Sequence, residues 1–232
     1  MSSTLPQSAG NAAQAATLEK FPDFSPRDDM QNSLHLDDDA HQAILRQHLG
    51  NYDSTIVLGE IPVRWTPRQQ EGHRIPDLLV AFNVNRALAV EQKGYSIRDQ
   101  GKPPDLVLEV ASESTGDNDI GDKRRDYANF GIPEYWRYDP SGGSRHDAPL
   151  GGDRLTDGIY EPVEIVEVGP EHFHGYSVVL GLTICWDHGR LRWYDPTQEQ
   201  HLMTFQEEME ARIAAEARVR ELEEQLKVRE ES

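Results

Sequence analysis

Cysteine is nearly absent. Of 232 residues only Cys185 carries a thiol, so no disulfide forms within the chain, and neither a cysteine-rich zinc site nor a dithiol redox pair is available. Basic residues are also scarce, with 23 Lys and Arg against 41 Asp and Glu and a formal net charge of −18. A field of that sign repels phosphate and disfavours broad electrostatic binding to nucleic acid. No run of about 18 apolar residues occurs, so nothing reads as a membrane-spanning helix. The first thirty residues lack the basic-then-apolar order of a secretory leader. Phosphate-binding glycine loops of the P-loop or Rossmann type are missing too, and Gly142-Gly143 and Gly151-Gly152 read as turns. What remains suits one core of roughly 150 to 200 residues with tails, expected in a reducing cytoplasm and away from membranes.

Residues 1–30 are rich in Ser, Ala, Gln, Asn and Pro, too poor in large apolar groups to offset the entropy of ordering them, and predict a mobile tail. Residues 31–202 form the expected domain. Its first element is a helix over Asp37–Leu49, acidic at its start, with Ala40, Ile44, Leu45 and Leu49 on one face and Gly50 as its stop. Short runs rich in Val, Ile and Leu follow in STIVLGEIPVRW, PDLLVAFNV and PDLVLEVAS; they predict strands, the last two buried on both faces. Asp119–Phe130 predicts a helix that closes at Gly131, EYWRYD a further strand, and Ser141–Gly158 a loop or wide hairpin. VEIVEV and YSVVLGLTICW predict later strands.

From residue 203 to 232 the composition changes to Glu, Ala, Arg, Leu and Gln, without Gly or Pro. This predicts a helix. Phe205, Ala215, Val219, Leu222 and Leu226 follow a seven-residue pattern that Arg212 interrupts, which suggests a short coiled coil and a homo-oligomer; a solvated helical extension explains the same residues.

Three positions carry chemistry. Asp77 follows Pro76 at the start of an apolar strand, and Glu109 interrupts another between Leu108 and Val110. A carboxylate inside an apolar strand is costly unless it is paired or bound to a metal. Two carboxylates from adjacent strands suit a hard divalent cation such as Mg2+ or Mn2+, and a lysine beside them can orient the attacking water and stabilise charge on phosphorus. Lys123 is the candidate, carried by the helix after the Glu109 strand. Read singly, Asp77 is a strand start and Lys123 part of a solvated charge run, Asp122-Lys123-Arg124-Arg125-Asp126.

PDLVLEVASEST followed by GDKRRDYANFGIPEYWRYDP resembles the Uma2 restriction endonuclease family, a branch of the PD-(D/E)xK nuclease superfamily. RIPDLLVAF resembles its first acidic position and YSVVLGLTI its closing strand segment, so the likeness runs from about Asp37 to Trp193. The resemblance implies an α/β fold with a restriction-endonuclease-like core, a central mixed β-sheet flanked by helices, here with a C-terminal helical extension. It also implies DNA as substrate, Asp77 and Glu109 as metal ligands, and Lys123 as a catalytic lysine displaced from the usual position two residues after the second acid, where this chain has Ala111. Ser112, Asp119 and Tyr127 match further recurrent positions in supporting roles.

Glu91-Gln92-Lys93 is a literal E-x-K, but its polar surroundings fall in a variable connection and mark it as a decoy. His172 and His174 alternate along a strand and share a face, without a third metal ligand at convincing spacing. His41 and His48 read as surface or half-buried residues, and Cys185 as a small core residue. Two functions fit: a metal-dependent endonuclease, with Arg68, Arg74, Arg98, Lys102, Arg124 and Arg125 gathered around the cleft, or a catalytically silent nuclease scaffold whose C-terminal helix recruits a partner.

Overall fold

The computed structural model describes residues 18–22, 40–68, 72–112 and 119–230. The first helix, α1 (His41–Leu49), ends at Gly50, whose φ of 62° needs a residue without a side chain. Asp37–Asp39 lie outside the described residues. Strand β1 (Thr55–Leu58) leads to β2 (Val63–Arg64) and then to β3 (Leu78–Phe82). The polar stretch after β3 holds α2 (Arg86–Gln92), β4 (Tyr95–Ser96) and the single turn α3 (Ile97–Gln100), with Asn85 and Ser96 capping the two helices through their side chains. Strand β5 (Leu106–Val110) follows. After 113–118, which lie outside the described residues, a π-helical turn (Asp119–Lys123) runs into α4 (Arg124–Phe130) and then β6 (Glu134–Tyr138).

The remaining strands are β7 (Leu150–Thr156), β8 (Ile159–Pro162), β9 (Ile165–Gly169), β10 (His172–Ser177), β11 (Leu182–Asp187), β12 (Arg190–Asp195) and β13 (Gln200–His201), before the long helix α5 (Phe205–Glu230). Of the two readings of Ser141–Gly158, the wide hairpin is the one present: β6 and β7 pair antiparallel from Tyr138↔Leu150 onward, with Leu150 and Asp153 of β7 buried on opposite faces and separated by two glycines that hide the periodicity.

Strands β1-β3-β5-β6-β7-β8 form a six-stranded mixed sheet in that order, β9 to β13 a five-stranded antiparallel sheet, and β2 and β4 a two-stranded parallel pair. Within the six-stranded sheet only β5 and β6 run parallel. A parallel pair needs a crossover, and that crossover is the segment carrying the π-turn and α4. The sheet has a core on each face. On one side Val107, Leu79 and Tyr135 pack with Tyr127 and Phe130 of α4. On the other, Leu106, Leu108, Val110 and Trp136 meet Leu182, Ile184, Trp186 and Trp193 of the second sheet, together with Leu45 of α1. The mixed α/β fold expected from the sequence is present, but its second face is covered mainly by a sheet rather than by helices. Those two layers approach closely: a Cβ added at Gly175 of β10 would lie 2.8 Å from the Trp136 ring.

Of residues 1–30, only 18–22 are described. There Phe21 is 3% exposed, its amide donates to Gln92 O, and its ring fills the space over Gly94. Helix α5 opens with a reciprocal cap, Thr204 Oγ1 accepting from Glu207 N while Glu207 Oε2 accepts from Thr204 N. Arg192 grips the same carboxylate with two nitrogens. Beyond this anchor Phe205, Met209, Ile213, Val219, Leu222 and Leu226 are all exposed.

Candidate active site

The register of β3 on β5 builds the site. Leu78 pairs with Leu108, so the preceding residue, Asp77, meets Glu109 across the strands. Because side chains alternate along a strand, Glu109 shares a face with Val107, and Asp77 shares one with Leu79. That is the face on which α4 packs. Asp77 is 9% exposed and Glu109 1%. Asp77 Oδ2 accepts the Val110 amide at 2.7 Å, extending the β-ladder with a side-chain oxygen. Gly59, at the end of β1, allows the close approach behind it: a Cβ there would sit 2.6 Å from the Asp77 carbonyl oxygen.

Lys123 closes the group. Its Nζ donates to Glu109 Oε2 at 2.9 Å, and Tyr127, one helical turn later, donates its hydroxyl to Glu109 Oε1 at 2.5 Å. The i, i+4 spacing puts both donors on one helix face, one for each carboxylate oxygen. The helix itself is fastened on both flanks. Arg124 donates to Asp153 Oδ1 at 2.9 Å and to Tyr160 O at 2.7 Å, while Asp126 forms an ion pair with Arg74 on the segment that leads to Asp77. Asp153 also receives Arg137 at 2.5 Å.

Burial, followed by the neighbouring Glu109 carboxylate, pushes the Asp77 carboxyl well above the ordinary carboxylate range; the Val110 amide and Lys123 oppose that shift. Burial and Glu109 also push the Tyr127 phenol well above its usual range, so it remains a donor. Two buried carboxyls in hydrogen-bond contact are stable with a shared proton or an added cation. Each Glu109 oxygen has a second lone pair after serving Lys123 or Tyr127. The donor set of two carboxylates facing one another therefore fits a hard divalent ion.

All three sequence-predicted residues, Asp77, Glu109 and Lys123, thus come together, with Tyr127 as a fourth member bonded directly to the glutamate. Ser112 is buried just beyond β5; the Asp119 side chain lies outside the described residues. Ala111 is buried and carries no amine. Glu91 and Lys93 are exposed at the end of α2, Lys93 being its left-handed C-cap. The expected basic cluster is neutralised: Arg68 pairs with Glu19, Arg98 with Glu19 and Asp99, Lys102 with Asp105, and Arg125 with Asp122, besides the Arg74 and Arg124 pairs already described. Cys185 is buried, its thiol pushed up to about 12 by desolvation, as a core residue. His41, expected at the surface or half-buried, is buried and accepts the Trp193 indole N–H at 3.0 Å on Nδ1.

The Uma2 family profile, described as "Putative restriction endonuclease", matches residues 38–184. Among solved structures, one described as "a putative nuclease belonging to DUF820" from Anabaena variabilis aligns with a TM-score of 0.40 and 13% identity, over 62% of this chain and 75% of that one. No curated protein matches.

Proposed function

Since the chain belongs to the Uma2 family, described as "Putative restriction endonuclease", we propose that it is a metal-dependent endonuclease hydrolysing DNA phosphodiester bonds at Asp77, Glu109 and Lys123. The observation that carries this reading is the hydrogen-bonded convergence of two buried carboxyls and one ammonium group from three separate stretches of chain. Burying those groups costs several kcal/mol of desolvation, about what a purely structural core avoids with apolar side chains.

Asp77 and Glu109 would hold Mg2+ or Mn2+, which when bound lowers the pKa of a water and neutralises a phosphate oxygen. Lys123, its side chain 15% exposed and its Nζ on Glu109 Oε2, would donate to the attacked phosphate or orient the water. Tyr127 holds the Glu109 carboxylate in one rotamer. Calorimetry with Mn2+ tests the ion site: the binding heat disappears in Asp77→Ala and in Glu109→Ala. Cleavage assays on single-stranded, duplex and branched DNA test the chemistry, and absence of metal-dependent cleavage on every substrate would overturn it.

A second reading has its own support. The six basic residues expected near the cleft are paired with carboxylates, and α5 exposes Phe205, Met209, Ile213, Val219, Leu222 and Leu226. In this reading the nuclease scaffold is silent and α5 pairs with a second copy. Sedimentation of the full chain against one ending at Gln206 separates the two: a dimer that becomes a monomer, together with no cleavage, favours the scaffold.

A further inference from the structure

A second cluster lies on the five-stranded sheet, away from the acids. In the β10–β11 ladder His172 stands opposite Asp187. The chain then turns through His188 and Gly189, both at positive φ (46° and 81°), the two-residue hairpin geometry in which Asn-Gly is usual and histidine is among the few side chains tolerated. The turn returns His188 over His172, with ring centroids 4.5 Å apart. One ligand atom each from His172, Asp187 and His188 lie within 4.8 Å of one another.

The hydrogen bonds behind the rings fix which nitrogens face inward. His172 Nδ1 lies 2.7 Å from the Pro170 carbonyl oxygen and His188 Nδ1 3.2 Å from Glu171 Oε2. Both partners can only accept, so each Nδ1 carries a proton and each Nε2 is the nitrogen left facing inward; His172 Nε2, 2.9 Å from a carboxylate oxygen that also only accepts, donates to it and would give up that proton to a cation bound in its place. Those two Nε2 atoms approach the same oxygen, Asp187 Oδ1, at 2.9 and 4.0 Å. Imidazoles held by an oxygen acceptor on Nδ1 and presenting Nε2 to a carboxylate are arranged as metal ligands with their supporting shell.

We propose that His172, Asp187 and His188 bind a late first-row divalent cation of the Zn2+ class, with Glu171 and the Pro170 carbonyl orienting the two imidazoles. Two nitrogens and one oxygen suit Zn2+, Ni2+ or Cu2+ rather than Mg2+. Metal–nitrogen bonds of about 2.0 to 2.1 Å require ligand separations of roughly 3.3 Å in a tetrahedron. His188, 57% exposed at its side chain, can turn to supply that closure. The remaining position faces water. The ion ties the Pro170–Glu171 turn to the His188–Gly189 turn, which the His188 N to Glu171 O hydrogen bond already joins at 3.0 Å.

The test is calorimetry of the chelator-treated full chain with Zn2+ alone. One saturable site is expected, weakened at least tenfold by His172→Gln and by His188→Gln, about tenfold by Glu171→Gln, and retained in Glu109→Gln. A melting temperature raised by Zn2+ in the wild type and not in the histidine variants supplies a second readout, and circular dichroism confirms that the variants are folded. Unchanged Zn2+ binding in both histidine variants overturns the proposal. So does loss confined to Glu109→Gln, or no saturable binding; the pair would then be a His172 imidazolium salt-bridged to Asp187.

Discussion

At the residue scale, two side chains on the α4 segment divide one carboxylate. Lys123 and Tyr127 each take one Glu109 oxygen, so they are separable by mutation. On the endonuclease reading, Lys123→Met lowers metal-dependent DNA cleavage by about 10²- to 10⁴-fold and Lys93→Met leaves it unchanged; nicking of supercoiled plasmid measures both. Asp77 gives a pH signature. Its carboxyl holds a proton above the ordinary carboxylate range, because of burial and then Glu109, so the native state binds more protons than the unfolded chain between the ordinary and the raised value. Stability contributed by that proton is present at low pH and lost as pH rises through the native value. Asp77→Asn retains an oxygen for the Val110 amide and removes the titration. Thermal melts without added metal should show the variant stabilised relative to wild type at pH 8, and much less at pH 4.

At the element scale, α4 is the part that brings chemistry to the sheet, and Arg124 is its main fastening on the β7–β8 side. Arg124→Ala strips one partner from the buried Asp153 and should cost about 1.5 to 3 kcal/mol in urea unfolding, with lower cleavage as Lys123 loses its support. Arg125→Ala, one residue on, removes an exposed pair and should cost well under 1 kcal/mol. The runs behind β3 and β5 were legible because they are apolar on both faces, and Glu109 because a carboxylate breaks one of them. The same logic does not reach Tyr127's bond to Glu109: a tyrosine at helical spacing reads as core, and only the crossover places its hydroxyl on the acid. Strand β12 carried a weak signal, Leu191 and Trp193 alternating inward after a His-Gly turn, masked by three charged neighbours. The metal cluster was half visible, since His172 shows in the strand pattern while Asp187 and His188 are supplied by the register of the next hairpin.

At the scale of the whole molecule, an acidic chain whose arginines and lysines near the site are already paired offers phosphate few uncompensated charges. On the endonuclease reading, the logarithm of DNA affinity should fall with that of salt concentration along a slope of magnitude below about 3, against the steep lines of proteins that neutralise six to ten phosphates. Fluorescence anisotropy of a labelled duplex between about 50 and 200 mM salt measures it, and a steep line would mean that pairs such as Arg74–Asp126 open on binding. The layered build has an optical consequence. Of four tryptophans, Trp136, Trp186 and Trp193 belong to the core between the two sheets, whereas Trp65 is exposed elsewhere. Emission from those three is therefore a built-in gauge of the seam between layers, reddening when the sheets part, while Trp65, edge-on to Phe130 of α4, answers to events on the helical side.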